Sequence, residues 1–129
     1  QARALSGVPA DWVHVMVVED DGPILRALGA RLKREGFAVH SARDGAAALI
    51  SLRVLQPDVA VLDIDMPGID GLHLAEEIRL RAPACRLLFL TTHGDAALQD
   101  EALRLGVHAF MEKPYGAQEL VENIRSSGF

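Results

Sequence analysis

Short apolar runs alternate with segments whose apolar residues recur at helical spacing, five times along the chain. The runs at 13–18, 37–40, 59–62, 86–91 and 107–111 predict strands, and the unbroken one at 59–62 reads as buried on both faces. Leu25, Leu28 and Leu32 share one face of a helix predicted over 23–35, with Pro23 in its first turn and Gly36 after its end. Ala48, Leu49 and Leu52 line a helix over 46–55 that Gln56-Pro57 breaks. Further helices are predicted over 71–81, over 96–105 with Leu98, Ala102 and Leu105 inward, and over 116–126 with Leu120, Val121 and Ile124 inward. Gly106 closes the helix at 96–105. Asp70 reads as the N-cap of the helix at 71, and Asp21 as that of the first helix, with Asp20 competing for the position. Alternation through short connections argues for an α/β fold: a five-stranded parallel sheet, doubly wound as (βα)5.

At 129 residues the chain is expected to form one domain. The expected layout is a flexible lead-in or linker over 1–11, the domain over 12–126, and a tail or linker start over 127–129. Half the residues are hydrophobic, yet no apolar run reaches the length of a membrane span, and residues 1–9 lack a secretory pattern. Gln1 stands where an initiator Met would, so a fragment or processed product is expected. A single cysteine, Cys85, leaves no internal disulfide and fits a reducing, cytoplasmic setting. Nothing around it would activate the thiol, so it reads as a small side chain near a strand start. The formal charge of −5, with no basic stripe, argues against direct nucleic-acid binding.

The chemistry gathers at the ends of the predicted strands. The first ends in Glu19-Asp20-Asp21, the third in Asp63 with Asp65 beyond it, the fourth in Thr91-Thr92, and the fifth leads to Lys113-Pro114. In a parallel sheet these ends share the edge where ligands bind. Clustered carboxylates repel one another and call for a cation, and an all-oxygen donor set favours Mg²⁺ (or Mn²⁺). Asp20 and Asp63 are the expected direct ligands, and Glu19 the water-mediated one. Lys113 is the opposing fixed cation, able to pair with Asp63 and then with a phosphoryl oxygen, to which Thr91 can also donate. Each residue has a plainer reading: a turn aspartate, helix-capping carboxylates, a solvated lysine, a strand-favouring threonine. Their occurrence together on one edge favours phosphoryl transfer to Asp63, a reaction that asks mainly for positioning and electrostatics.

The stretch Val59-Ala60-Val61-Leu62-Asp63-Ile64-Asp65-Met66-Pro67-Gly68-Ile69-Asp70-Gly71 resembles the phosphoacceptor segment of response-regulator receiver domains, the CheY-like superfamily. Glu19-Asp20, Thr91, Phe110 and Lys113-Pro114 extend the resemblance in order over roughly 12–126. It implies a flavodoxin-like receiver architecture with Asp63 as phosphoacceptor, and the Asp65 backbone carbonyl as a metal ligand. It also implies a cis Lys113-Pro114 bond and an aromatic switch position at Phe110. The implied partners are a histidine kinase or phosphotransfer domain in a phosphorelay, and a linked DNA-binding effector outside this chain, or else a hybrid kinase. A homodimer through the face of the fourth helix, fifth strand and fifth helix is implied as well, with no membrane and no direct nucleic-acid contact. The implied catalysis is limited to the domain's own phosphorylation and dephosphorylation.

Departures from the family pattern are the acidic Asp65, the bulky Thr92 and His93, all expected to tune phosphorylation and dephosphorylation rates. Phe110 lacks a hydroxyl, so a switch there would run on packing. Asp63-Ile64-Asp65 also resembles the nucleophile motif of haloacid-dehalogenase-type phosphatases, in which the second aspartate is a general acid. Pro67, the position on the third strand and the lack of a cap domain speak against that. An FMN-binding flavodoxin is opposed by Glu19-Asp20-Asp21, which would repel a phosphate. A receiver that no longer signals is opposed by the presence of every expected group.

Overall fold

Strands and helices alternate through the computed structural model, which describes residues 9, 11–66, 71–92 and 94–128. The elements are β1 His14–Val18, α1 Gly22–Arg34, β2 Ala38–Ala42, α2 Gly45–Ser51, β3 Val59–Asp63, α3 Gly71–Arg81, β4 Arg86–Thr91, α4 Ala96–Leu105, β5 Ala109–Glu112 and α5 Ala117–Arg125. All pairings are parallel and the strand order is β2-β1-β3-β4-β5, as a doubly wound sheet requires. The winding reverses between β1 and β3, which lie side by side with Val17 opposite Val61. That reversal opens a crevice at the carboxyl ends of the two strands.

Every residue of β1 and β3 is buried. Alternate side chains serve opposite faces, as the pleat dictates. Met16, Val18, Leu62 and Phe89 join Ala48, Leu74, Ile78 and Ala102 under α2, α3 and α4. Val15, Val17, Val61 and Leu88 join Leu28, Leu32, Leu120 and Ile124 under α1 and α5. Asp21, Asp44 and Asp95 cap α1, α2 and α4 through Oδ1, accepting from the backbone N–H groups of Ile24, Ala47 and Leu98 at 3.0, 2.7 and 2.9 Å. Asp20 is thereby left out of the capping role. Gly106 adopts φ 69° to end α4, and the Val107 N–H returns to the Ala102 carbonyl at 2.9 Å. Gly71 is needed for a close approach, since a Cβ there would lie 2.4 Å from Ile64 Cα. The predicted cap Asp70 lies outside the described residues.

Most boundaries shift by one or two residues, as at β1, which begins at His14, and at β5, which runs over Ala109–Glu112; β2 and α2 differ in extent. β2 runs on to Ala42, because its residues pair along the whole of β1 even where His40 and Ser41 break the apolar pattern. α2 stops at Ser51, after which the chain turns and buries Leu55.

The amino-end edge of the sheet is closed by local pairings. The buried His14 that interrupts β1 brings Nδ1 to 2.9 Å from His40 Nε2, with the rings stacked at 5.1 Å. Asp58 Oδ2 accepts from the His14 backbone N–H at 2.8 Å. Arg79 donates to the carbonyls of Pro83, Cys85, Leu105 and Gly106 at 2.9, 2.8, 3.2 and 3.5 Å. Arg86 Nε donates to the Ser127 carbonyl at 2.5 Å. Among the described residues no helix is long and apolar enough to cross a membrane.

Candidate functional site

Because β1 and β3 are neighbours, the residues at their carboxyl ends must meet. Glu19, Asp20 and Asp63 each place one carboxylate oxygen within 4.8 Å of the others. Glu19 and Asp63 are buried, whereas Asp20 is exposed at the mouth. Lys113 follows β5 and precedes a cis bond to Pro114, and its backbone N–H donates to the Thr91 carbonyl at 2.7 Å. Its ammonium lies 3.0 Å from Asp63 Oδ2 and 3.8 Å from Glu19 Oε1.

Charge at this edge is only partly compensated. Glu19 Oε2 accepts from the Asp21 backbone N–H at 3.2 Å, but its buried Oε1 has no hydrogen-bond partner. Burial raises the Glu19 pKa to about 7; Asp63 adds to the rise, and the Asp21 N–H and Lys113 oppose it. For Lys113 burial acts downward, yet the hydrogen bond to Asp63 and the charges of Asp63, Glu19 and Asp65 outweigh it and raise the pKa. Burial, then the charges of Glu19 and Asp63, push Tyr115 up to about 12. A buried carboxylate oxygen without a partner, beside two further carboxylates, is what a hard cation would satisfy, so these residues fit a divalent metal ion.

Asp65 does what the sequence did not reveal. Its backbone N–H donates to Asp63 Oδ1 at 3.0 Å, while its carboxylate reaches across to the end of β4. There Oδ1 accepts from the Thr91 hydroxyl at 3.2 Å, and Oδ2 accepts from the Thr92 N–H at 2.7 Å and the Thr92 hydroxyl at 3.1 Å. The Thr91 hydroxyl is therefore engaged by Asp65. The available signal was a carboxylate two residues past one strand end facing a Thr-Thr pair at the end of the next.

The predicted residues fall into two groups. Glu19, Asp20, Asp63 and Lys113 form one cluster, and Asp65, Thr91 and Thr92 form a second beside it. Phe110 sits half-buried on β5, against the β4–α4 connection; a Cβ on Gly94 would come within 2.5 Å of its ring. His93 lies outside the described residues, as does the Pro67–Gly68 part of the predicted turn. Cys85 is buried and its thiol is pushed up to about 12, chiefly by burial, which leaves it inert as a nucleophile.

Comparison with known proteins gives a consistent result. Residues 15–125 match the response regulator receiver domain family. The transcriptional regulatory protein CseB of Streptomyces coelicolor is 37% identical over 117 residues, which is 91% of this chain and 50% of CseB. FixJ of Bradyrhizobium diazoefficiens, also a transcriptional regulatory protein, is 34% identical over 114 residues, 88% of this chain and 56% of FixJ. The chain thus spans about half the length of these curated relatives. Among solved structures, chemotaxis protein CheY4 of Vibrio cholerae shares the fold, with a TM-score of 0.85 at 24% identity over 90% of this chain and 98% of that one. A LuxR-family DNA-binding response regulator from Staphylococcus aureus gives 0.81 at 27% identity, covering 89% and 98% of the two chains.

Proposed function

The chain belongs to the response regulator receiver domain family, whose function is to accept a phosphoryl group in two-component signalling, and from that premise we propose that Asp63 is its phosphoacceptor. The observation that carries the assignment is the position of Asp63, where the Lys113 ammonium at 3.0 Å meets the cluster with Glu19 and Asp20. An oxygen of Asp63 bonds to phosphorus as the bond from phosphorus to the donor nitrogen or acyl oxygen breaks. The electron pair of that bond leaves with the donor, and the product is an aspartyl phosphate. Lys113 pairs with Asp63 and then faces a phosphoryl oxygen. Glu19, Asp20, Asp63 and the Asp65 backbone carbonyl would hold Mg²⁺ (or Mn²⁺), which supplies positive charge beside the transferring group. Residues 12–126 are the functional unit, and its only catalysis is its own phosphorylation and dephosphorylation.

In the cell the donor is a histidine kinase or phosphotransfer domain in the cytoplasm. The naming of CseB and FixJ as transcriptional regulators supports a linked DNA-binding effector as the output. Phosphorylation would reach it through Phe110 and the α4-β5-α5 face, by packing, with a homodimer on that face as one form of the output. Asp65, Thr92 and His93 would set the rates of gain and loss of the phosphoryl group.

Intact mass after incubation with acetyl phosphate and Mg²⁺ tests the assignment. A single phosphoryl addition is expected, labile to hydroxylamine and absent both from Asp63→Asn and after chelation. An addition that persists in Asp63→Asn would overturn it.

A further inference from the structure

We infer that Asp65 is a built-in competitor for the phosphoryl group. Its carboxylate fills the anion cradle at the end of β4, and it must leave before the cradle can receive the phosphoryl oxygens on Asp63. This rests on the receiver reading and deepens it by naming what regulates the site.

The Thr91 hydroxyl and the Thr92 N–H and hydroxyl converge from the end of one strand, and together they hold an anion in this structure, the carboxylate of Asp65. Donors arranged around a carboxylate would serve a phosphoryl oxygen equally well, because both are compact anions that accept several hydrogen bonds. The cradle and the acceptor lie next to each other, since the Asp65 N–H is itself bonded to Asp63 Oδ1 at 3.0 Å. A phosphoryl group on Asp63 therefore arrives beside Asp65. Like charges cannot share one set of donors, so one anion displaces the other. Lys113 does not relieve the conflict: its ammonium already faces Asp63 and Glu19.

The latch has two consequences. Phosphorylation is slowed, because the transition state begins without the Thr91 and Thr92 donors. Loss of the Asp65 bonds releases one tie on the β4–α4 connection at the moment the phosphoryl group arrives, so the chemical step and the loosening of that corner are one event. Asp65 acts here as a positioning residue through Thr91 and Thr92, and takes no part in bond making.

The test compares the full chain with Asp65→Asn, Asp65→Ala and Thr92→Ala. Phosphoryl addition from acetyl phosphate is followed by intact mass at fixed Mg²⁺, and the Thr92 amide proton is followed by NMR. Freeing the cradle is expected to speed addition about tenfold in Asp65→Asn and Asp65→Ala, the equivalent of one charge-assisted hydrogen bond. Thr92→Ala keeps the Asp65 charge and removes a donor that serves the carboxylate and the phosphoryl group alike, so its rate is expected to stay within about twofold of the unaltered chain. The Thr92 amide proton is expected to move upfield in both Asp65 variants, a signature that a general loss of packing would not give. Asp65→Ala stands in if Asp65→Asn does not fold, with far-UV circular dichroism reporting the fold of each. Addition to both Asp65 variants no faster than to the unaltered chain overturns the latch and leaves the receiver reading standing. Faster addition to the Asp65 variants with an unmoved Thr92 amide also overturns it, and assigns the effect to bare charge. If no chain takes up a phosphoryl group, the assignment of Asp63 as phosphoacceptor falls and the latch with it.

Discussion

The two edges of the sheet handle charge in opposite ways. At the amino-end edge most polar groups are matched locally: Arg79 is shared among backbone carbonyls, Asp58 takes the His14 N–H, and His14 and His40 face each other. At the carboxyl-end edge three carboxylates cluster, the ammonium of Lys113 faces two of them, and a buried oxygen of Glu19 has no hydrogen-bond partner. The same strands serve both edges, so composition alone does not account for the contrast. Satisfied groups hold a structure together, whereas an unbalanced acidic cluster stores a demand that a cation can meet. The two edges should therefore respond to mutation in different observables.

The largest effect is expected from Lys113→Met at the carboxyl-end edge. Removing the charge that faces Asp63 should slow phosphoryl addition by at least about 100-fold, as loss of a transition-state donor does elsewhere, and intact-mass kinetics would read it. Next comes Arg79→Ala at the opposite edge. It strips the charged donor from the four carbonyls and should lower stability by about 3 kcal/mol in urea unfolding, with the phosphorylation rate of the folded protein unchanged. Equal effects of both substitutions on both observables would abolish the distinction between the edges.

Glu19→Gln sharpens it. Glu19 binds its proton more tightly in the fold, near pH 7 against 4.5 otherwise, so its contribution to stability is full below pH 4.5 and is lost as the pH rises through 7. In metal-free buffer that loss is roughly 2–3 kcal/mol, and Glu19→Gln should flatten the slope while weakening Mg²⁺ binding. A slope unchanged in the variant would place the titration elsewhere. The smallest effect belongs to His40, whose pKa is lowered by burial and then by the charge of His14. Its stabilising contribution is present above pH 6.5 and lost on acidification, opposite in sign to that of Glu19. His40→Gln should remove that acid-side loss, as thermal unfolding across the same pH range would show.

Much of this contrast was legible in the chain itself. Apolar runs marked the five strands, and a parallel sheet then forced Glu19, Asp63, Thr91 and Lys113 onto one edge. Asp21 rather than Asp20 could be read as the cap because caps follow from local spacing. What stayed hidden depends on which groups face each other across strands. His14 looked like an interruption of β1 until the register set Met16 beside His40 and brought the two rings together. Asp65 looked only like a departure that tunes rates, because sequence spacing does not say that its carboxylate turns to Thr91 and Thr92. Hydrogen bonds between distant segments are decided by geometry that no local pattern encodes.

The four carbonyls gathered by Arg79 also fix where α4 can tilt. Two of them, Leu105 and Gly106, belong to the far end of that helix, so it behaves as a rod fastened at its tail. Its head, beside Gly94 and Asp95, meets the carboxyl-end edge at Ile64 and Asp65. A rod of ten residues is about 15 Å long, and a tilt of about 10° about the fastened end carries Ala96 through roughly 2–3 Å. Whatever loosens the β4–α4 corner would thus be converted into a swing that is widest next to Asp65 and dies out toward Arg79. A partner reading this domain would learn most by resting on the head of that lever.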